Sequence, residues 1–233
     1  MPKSLLMGAI GDDLTGSVEL AGLLAAGRMC VSLYTDPEAI VPNDSSDAVV
    51  IAQRSPVAPV EEARAAFTRC ADRLLQAGAR QLFFKYCATF DSLPTGNIGP
   101  CADVLADRLG DPAALFCPAY ADPDVDRTVY RGHMFVGDRL LSNSPKRFDP
   151  LTPMTESDLV KVLQAQTARR VGLVPLSAVA SGPDTIRRYM QRLQTSGIRY
   201  AIVDTLTEDH LRDIARATWA WPLMTGGASV VAH

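Results

Sequence analysis

The 233-residue sequence predicts an α/β protein with a mostly parallel sheet and helices on both faces. Two observations carry that expectation. Short apolar runs, bounded by Gly, Pro, Asp or Asn, recur along the chain with the length and flanks of buried strands. Between them lie segments whose apolar residues return every three or four positions, as one face of a helix requires. The composition agrees: 47% hydrophobic and 21% charged residues is ordinary for a globular domain, and the chain is long enough to bury a full core. Disordered, collagen-like and coiled-coil readings fall away.

The strands expected in order are Leu5–Ile10, Cys30–Tyr34, Ala48–Ala52, Gln81–Tyr86, Ala114–Cys117, Val171–Val174 and Tyr200–Val203. In Pro59–Ala77 the residues Val60, Ala63, Phe67, Cys70 and Leu74 share a helical face, with Pro59 suited to a first turn and Gly78 to a C-cap. Asn97–Leu109 and Asp184–Ser196 repeat that pattern, each followed by Gly, and Leu159–Gln166 and Glu208–Ala217 are further helices. Thr128–Asp138 breaks the alternation. Its β-forming residues flank Gly132 and a Pro-punctuated polar run follows, so a hairpin-like insertion is expected around 127–153. A mild boundary is expected near Pro150–Met154, where a second βαβ series begins.

Charge and cysteines narrow the function classes. With 23 Lys+Arg against 26 Asp+Glu the net charge is −3, which argues against nucleic acid or an anionic membrane held by bulk charge. No apolar run approaches the roughly 20 residues of a membrane span. Met1–Ser4 carries one basic residue and Asp12-Asp13 follows soon after, which does not fit a secretory leader. The 5 cysteines include no C-x-x-C pair, so reduced thiols and a cytoplasmic location are expected. No His/Cys/carboxylate cluster has metal-ligand spacing.

The sharpest local signal is Gly11-Asp12-Asp13-Leu14-Thr15-Gly16, placed where the first strand ends and a helix opens. Ligands of open α/β sheets bind at that carboxyl edge. Ser17 stands where a phosphate loop needs Lys, and two carboxylates would repel a triphosphate, so that motif is rejected. Two readings of the carboxylate pair stand side by side. The aspartates accept hydrogen bonds from substrate hydroxyls or act as a base; or they cap a helix N-terminus. Adjacent side chains point in different directions, so one can cap while the other serves. Arg54 ends the third strand and can hold a carboxylate bidentately or make a surface salt bridge. Lys85 inside an apolar run needs a partner, and Asp12, Asp13 and Asp91 are the candidates. His133 in an alternating strand pattern reads first as a structural hydrogen-bonder.

Gly-Asp-Asp-Leu-Thr-Gly (11–16), the Lys85–Pro100 block, Arg-Thr-Val-Tyr-Arg-Gly-His-Met-Phe-Val-Gly (127–137) and Pro-Leu-Thr-Pro-Met-Thr (150–155) resemble the four-carbon acid sugar kinases, in particular the 3-oxo-tetronate kinase branch. The resemblance runs over nearly the whole chain. It implies a bacterial catabolic enzyme that uses ATP and Mg to phosphorylate the terminal hydroxyl of 3-oxo-tetronate, threonate or erythronate. It makes residues 1–233 the N-terminal, substrate-binding domain, inactive alone. ATP and Mg would be bound mainly by a C-terminal nucleotide domain absent from these residues. Carried over, it makes Asp12 and Asp13 the catalytic candidates, one of them as base. Arg54 and Lys85 become candidates for the substrate carboxylate, Thr89, Asp91 and Asn97 line the same edge, and Arg127 and His133 come from the insertion. Asp126 departs from the Gly that members often carry before this Arg-Thr. The implied partners are a small sugar acid and the nucleotide domain, without nucleic acid or membrane; a homo-oligomer stays open. The alternative is a free-standing sugar-acid binding or regulatory module.

Overall fold

A computed structural model describes residues 5–41, 45–122 and 124–233. Residues 1–4, read above against a leader, lie outside it. In chain order the elements are β1 (Met7–Gly11), α1 (Leu14–Ala26), β2 (Val31–Tyr34), β3 (Ala48–Ala52), α2 (Val60–Gln76), β4 (Gln81–Lys85), α3 (Ile98–Arg108) and β5 (Ala114–Cys117). There follow β6 (Arg127–Tyr130), β7 (His133–Val136), β8 (Arg139–Leu140), α4 (Leu159–Gln164), β9 (Arg170–Val174), α5 (Leu176–Val179), α6 (Pro183–Thr195), β10 (Ile198–Val203), α7 (Glu208–Thr218) and β11 (Leu223–Gly226). Among the described residues, eight strands form one parallel sheet in the order β2-β3-β1-β4-β11-β5-β10-β9. The α/β class with a mostly parallel sheet is therefore observed. No described helix is long and apolar enough to cross a membrane.

The central strands β3, β4 and β5 are buried along their whole length, as a sheet covered on both faces demands. Helices α2, α3 and α4 pack side by side on one face, while α1, α5, α6 and α7 cover the other. A row of buried rings, Phe67, Phe84, Tyr86, Phe90, Phe116 and Tyr200, runs through the core with centroids 4.8–6.1 Å apart. Phe90 belongs to the loop after β4, so this row anchors a loop at the sheet's edge as well as filling the interior.

β11 is the strand the sequence reading missed. It is four residues long, carries Thr225, and sits between β4 and β5. This strand of the second series is inserted between two strands of the first, and β10 pairs directly with β5, so the change of series near Pro150–Met154 is not a break in the core. The insertion is a hairpin, as expected. Strands β6 and β7 pair antiparallel around Arg131 and Gly132, whose φ values of 51° and 76° suit the tight turn that matches strand twist. β8 adds a third strand, and two short 3-10 turns, Leu141–Asn143 and Pro145–Phe148, carry the chain back over the main sheet.

Candidate functional site

The sheet register brings the predicted residues to one edge. Gly11 pairs with Ala52 on one side and Lys85 on the other, so Asp12, Gln53 and Tyr86 leave their strands at one level. Strand β1 connects through α1 over one face, whereas its neighbours β3 and β4 connect through α2 and α3 over the other. The loops diverge there, and a crevice opens at the point where ligands bind in such sheets. It measures about 550 Å³ and is lined by Asp12–Thr15 after β1, Arg54, Pro56 and Val57 after β3, and Cys87 and Asp91 after β4. The insertion closes it with Asp149, Leu151 and Thr152.

The two adjacent aspartates divide the work. Asp13 is the N-cap of α1, its Oδ1 accepting the Gly16 N–H at 2.7 Å, and its backbone carbonyl accepts the Ser17 hydroxyl at 2.6 Å. Asp12 is 5% exposed, and its Oδ1 has no hydrogen-bond partner. Burial raises the Asp12 pKa well above the usual carboxylate range. Lys85 opposes that shift, and the neighbouring Asp13 adds to it.

Lys85 does not make the pairing expected of it. Its ammonium lies beneath Gly16, donates to the Tyr86 carbonyl at 3.1 Å and faces Glu19 at 4.0 Å. A Cβ on Gly16 would stand 2.4 Å from that nitrogen, so the glycine makes the room Lys85 occupies. The chain turns at Cys87–Phe90, where the Phe90 N–H donates to the Cys87 carbonyl at 2.8 Å and Phe90 takes a φ of 54°. Thr89 and Asp91 are brought together by that turn, with the Thr89 hydroxyl donating to Asp91 Oδ1 at 2.5 Å. Lys146 pairs with Asp91 Oδ2 at 2.6 Å and with Asp149 at 3.3 Å, tying the insertion to the rim. Two N–H groups, of Thr152 and Leu151, hold the Asp149 carboxylate down to about 2, and Lys146 assists.

Asn97 is buried just before α3. Its Nδ2 donates to the carbonyls of Ser55 at 2.6 Å and Ala58 at 2.8 Å, locking the β3–α2 loop to the β4–α3 loop. Asn97 Oδ1 and Ser55 Oγ then have no partner. Such orphans cost about 1–3 kcal/mol each. Together with Asp12 they face a packing gap, bounded also by Phe84 and Ile98, that is too tight to admit a water.

The structure thus gathers Asp12, Asp13, Arg54 and Asp91 around the pocket, with Thr89 and Asn97 directly behind it. It does not bring Arg127 and His133 there. The Arg127 guanidinium bonds to the carbonyls of Val125 and Asp126, and His133 Nδ1 contacts the Arg131 carbonyl at 2.9 Å. Sequence reasoning missed Ser55, Lys146 and Asp149. The last two stand just before the 150–155 block, in a stretch without strand or helix periodicity.

The matching family model is described as a sugar-binding N-terminal domain, and it covers residues 7–233. The chain belongs to that family. It is similar to the 3-oxo-tetronate kinase of Burkholderia multivorans, at 41% identity over 97% of this chain and 52% of that protein. It is likewise similar to the 3-oxo-tetronate kinase of Escherichia coli, at 40% identity over 96% of this chain and 57% of that protein. Among solved structures, a Haemophilus influenzae protein of the DUF1537 family superimposes with a TM-score of 0.92 at 36% identity, over 97% of this chain and 54% of that one. The chain spans about half the length of the curated relatives it matches.

Proposed function

We propose that this chain is the part of an ATP-dependent kinase that holds a four-carbon sugar acid, of the 3-oxo-tetronate, threonate or erythronate type, for phosphorylation of its terminal hydroxyl. The observation that carries this reading is the pocket itself. In a chain of the sugar-binding N-terminal domain family, a buried carboxyl with an unpartnered oxygen lines one crevice with Arg54. Arg54 is the cation among the lining residues and pairs with the acid's carboxylate. Asp12 receives a sugar hydroxyl, and burial makes its carboxylate a stronger proton acceptor than an exposed one. Asp13 holds the α1 start in place; Lys85 and Thr89 position their neighbours from behind.

The residues present do not fit the nucleotide. No described group of three or more His, Cys, Asp or Glu side chains is able to hold a metal ion, and Asp13 occupies the start of α1. ATP and Mg belong, on this reading, mainly to a further domain of the kind the longer relatives have room for.

The test is titration of the chain with threonate, erythronate and 3-oxo-tetronate, followed by NMR. One or more of the acids is expected to bind, erythritol is expected not to, and Arg54→Ala is expected to weaken binding about tenfold. Equal shifts with the uncharged erythritol, or none with any acid, would sink the reading.

A further inference from the structure

A second depression, of about 620 Å³, lies at the same sheet edge one strand further out. It is bounded by Thr35 after β2, by Gln53 and Arg54 after β3, and by one side of α2. On α2 the residues Glu62, Ala65, Ala66 and Arg69 follow the i, i+3, i+4, i+7 spacing of one helical face, and all four line it. The buried Ala52 and Ala63 line it too, and their short side chains leave the space. Its volume is that of a small-molecule site, and its place is where parallel sheets bind ligands.

The charged groups around it are uncommitted. Elsewhere on α2, Arg73 pairs with Glu38 and Asp72 with Arg108. Glu62, Arg69 and Arg54 make no ion pair among the described residues, although opposite charges line the same depression. Gln53 Nε2 donates to the Ala52 carbonyl at 3.1 Å, which leaves Oε1 to accept. The lining therefore offers two guanidinium groups for a carboxylate, and Glu62 and Gln53 Oε1 as acceptors for hydroxyls. Two cations against one carboxylate leave a single positive charge over, which a monoanion balances. A fully ionised phosphate, which only accepts, gives Glu62 nothing to bind.

We propose that this depression is a second binding site, for a polyhydroxy carboxylic acid, and that it shares Arg54 with the sugar-acid pocket. Arg54 lines both spaces. Two carboxylates converging on one guanidinium divide its donors and repel each other, so an acid held by Arg54 and Arg69 works against the acid in the main pocket. The sharing rests on the sugar-acid reading above; the outer site itself does not.

Gluconate is the probe, with sorbitol as its uncharged counterpart and hexanoate as an acid without hydroxyls. Binding is read by NMR at Ala65 and Ala66, which line the outer space and not the main pocket, and at Thr15 and Thr152, which line the main pocket and not the outer space. Melting curves confirm that each variant folds. Gluconate is expected to shift Ala65 and Ala66, and sorbitol is not. Arg69→Gln is expected to weaken gluconate binding about tenfold. Glu62→Ala is expected to shrink the preference for gluconate over hexanoate about threefold or more. Saturating gluconate is expected to weaken threonate binding about fivefold or more in the unaltered chain, and the same concentration is expected not to do so in Arg69→Gln. Equal shifts with sorbitol, no shift at Ala65 and Ala66, or gluconate binding indifferent to Arg69 overturns the outer site. An unchanged preference in Glu62→Ala overturns the role of the hydroxyls, and an unchanged threonate affinity overturns the sharing of Arg54. Failure of threonate, erythronate and 3-oxo-tetronate alike to bind the unaltered chain overturns the sugar-acid reading and the sharing with it, while the gluconate titration still decides the outer site.

Discussion

Two aspartates leave neighbouring regions of the same sheet edge in matching positions, Asp12 after β1 and Asp204 after β10, and both are buried. Asp204 is fully satisfied. Its Oδ1 accepts the Gly132 N–H and its Oδ2 the Leu176 N–H, each at 2.9 Å. One carboxylate thus pins the hairpin turn and the start of α5 to the sheet. Asp12 has the same burial but an oxygen with no donor. Depth alone therefore does not mark a site. Native interiors pair their polar groups, so an unpaired carboxyl beside an unpaired serine and asparagine distinguishes the ligand side of the edge from the framework side.

Breaking the framework side should have the larger effect on stability. Asp204→Ala strands two buried N–H groups at once and is expected to cost about 3–5 kcal/mol, read from the urea midpoint. A variant as stable as the parent would make Asp204 an idle group and dissolve the contrast. Gly16→Ala comes next, at about 1–3 kcal/mol, because the new methyl meets Lys85 Nζ at 2.4 Å and Asp13 Oδ2 at 2.9 Å.

Asp12→Asn sharpens the comparison through pH. The folded chain holds the Asp12 proton more tightly than the unfolded chain does. Its stabilising contribution is therefore complete below the unfolded carboxylate pKa of about 3.9 and is lost as pH rises through the higher folded value. Asparagine does not titrate. The stability of Asp12→Asn relative to the parent is expected to increase from pH 4 upward, in urea melts at several pH values, while sugar-acid binding falls. A relative stability that decreases with pH would mean that Asp12 is ionised and paired, like a framework carboxylate.

The strands Ala48–Ala52 and Ala114–Cys117 were legible to the residue because they are short apolar runs with sharp polar edges. β11 was not, since Leu-Met-Thr-Gly is as short and carries a hydroxyl that reaches Tyr86 and the Leu115 carbonyl from inside the core. At the site, the meeting of Asp12, Arg54 and Asp91 could be read from strand ends alone, because parallel strands deliver their carboxyl ends to one edge. The clamp made by Asn97 could not, because it exists only once the fold brings the carbonyls of Ser55 and Ala58 within reach of its amide. Lys85 shows the same limit: a buried cation demanded a partner, but only the gap over Gly16 decided that it would face Glu19.

The smallest stability effect is expected where the insertion meets the rim. Burial pulls the Lys146 ammonium down, but its bonds to Asp91 outweigh that, and its pKa is raised. Lys146 is 31% exposed and Asp91 16%, so solvent screens much of the pair and Lys146→Met is expected to cost about 1 kcal/mol or less. Ligand affinity should respond more than stability. Without Lys146, the carboxylates of Asp91 and Asp149 face the same pocket with their shared cation removed, and an anionic guest must enter against both. Sugar-acid binding by this variant is expected to weaken more than its melting point suggests, and most at low salt, where the repulsion is least screened. If affinity and its salt dependence match the parent's, the insertion is a framework element like the Asp204 side, and the boundary between the two regions moves inward to Asp12, Arg54 and Asn97.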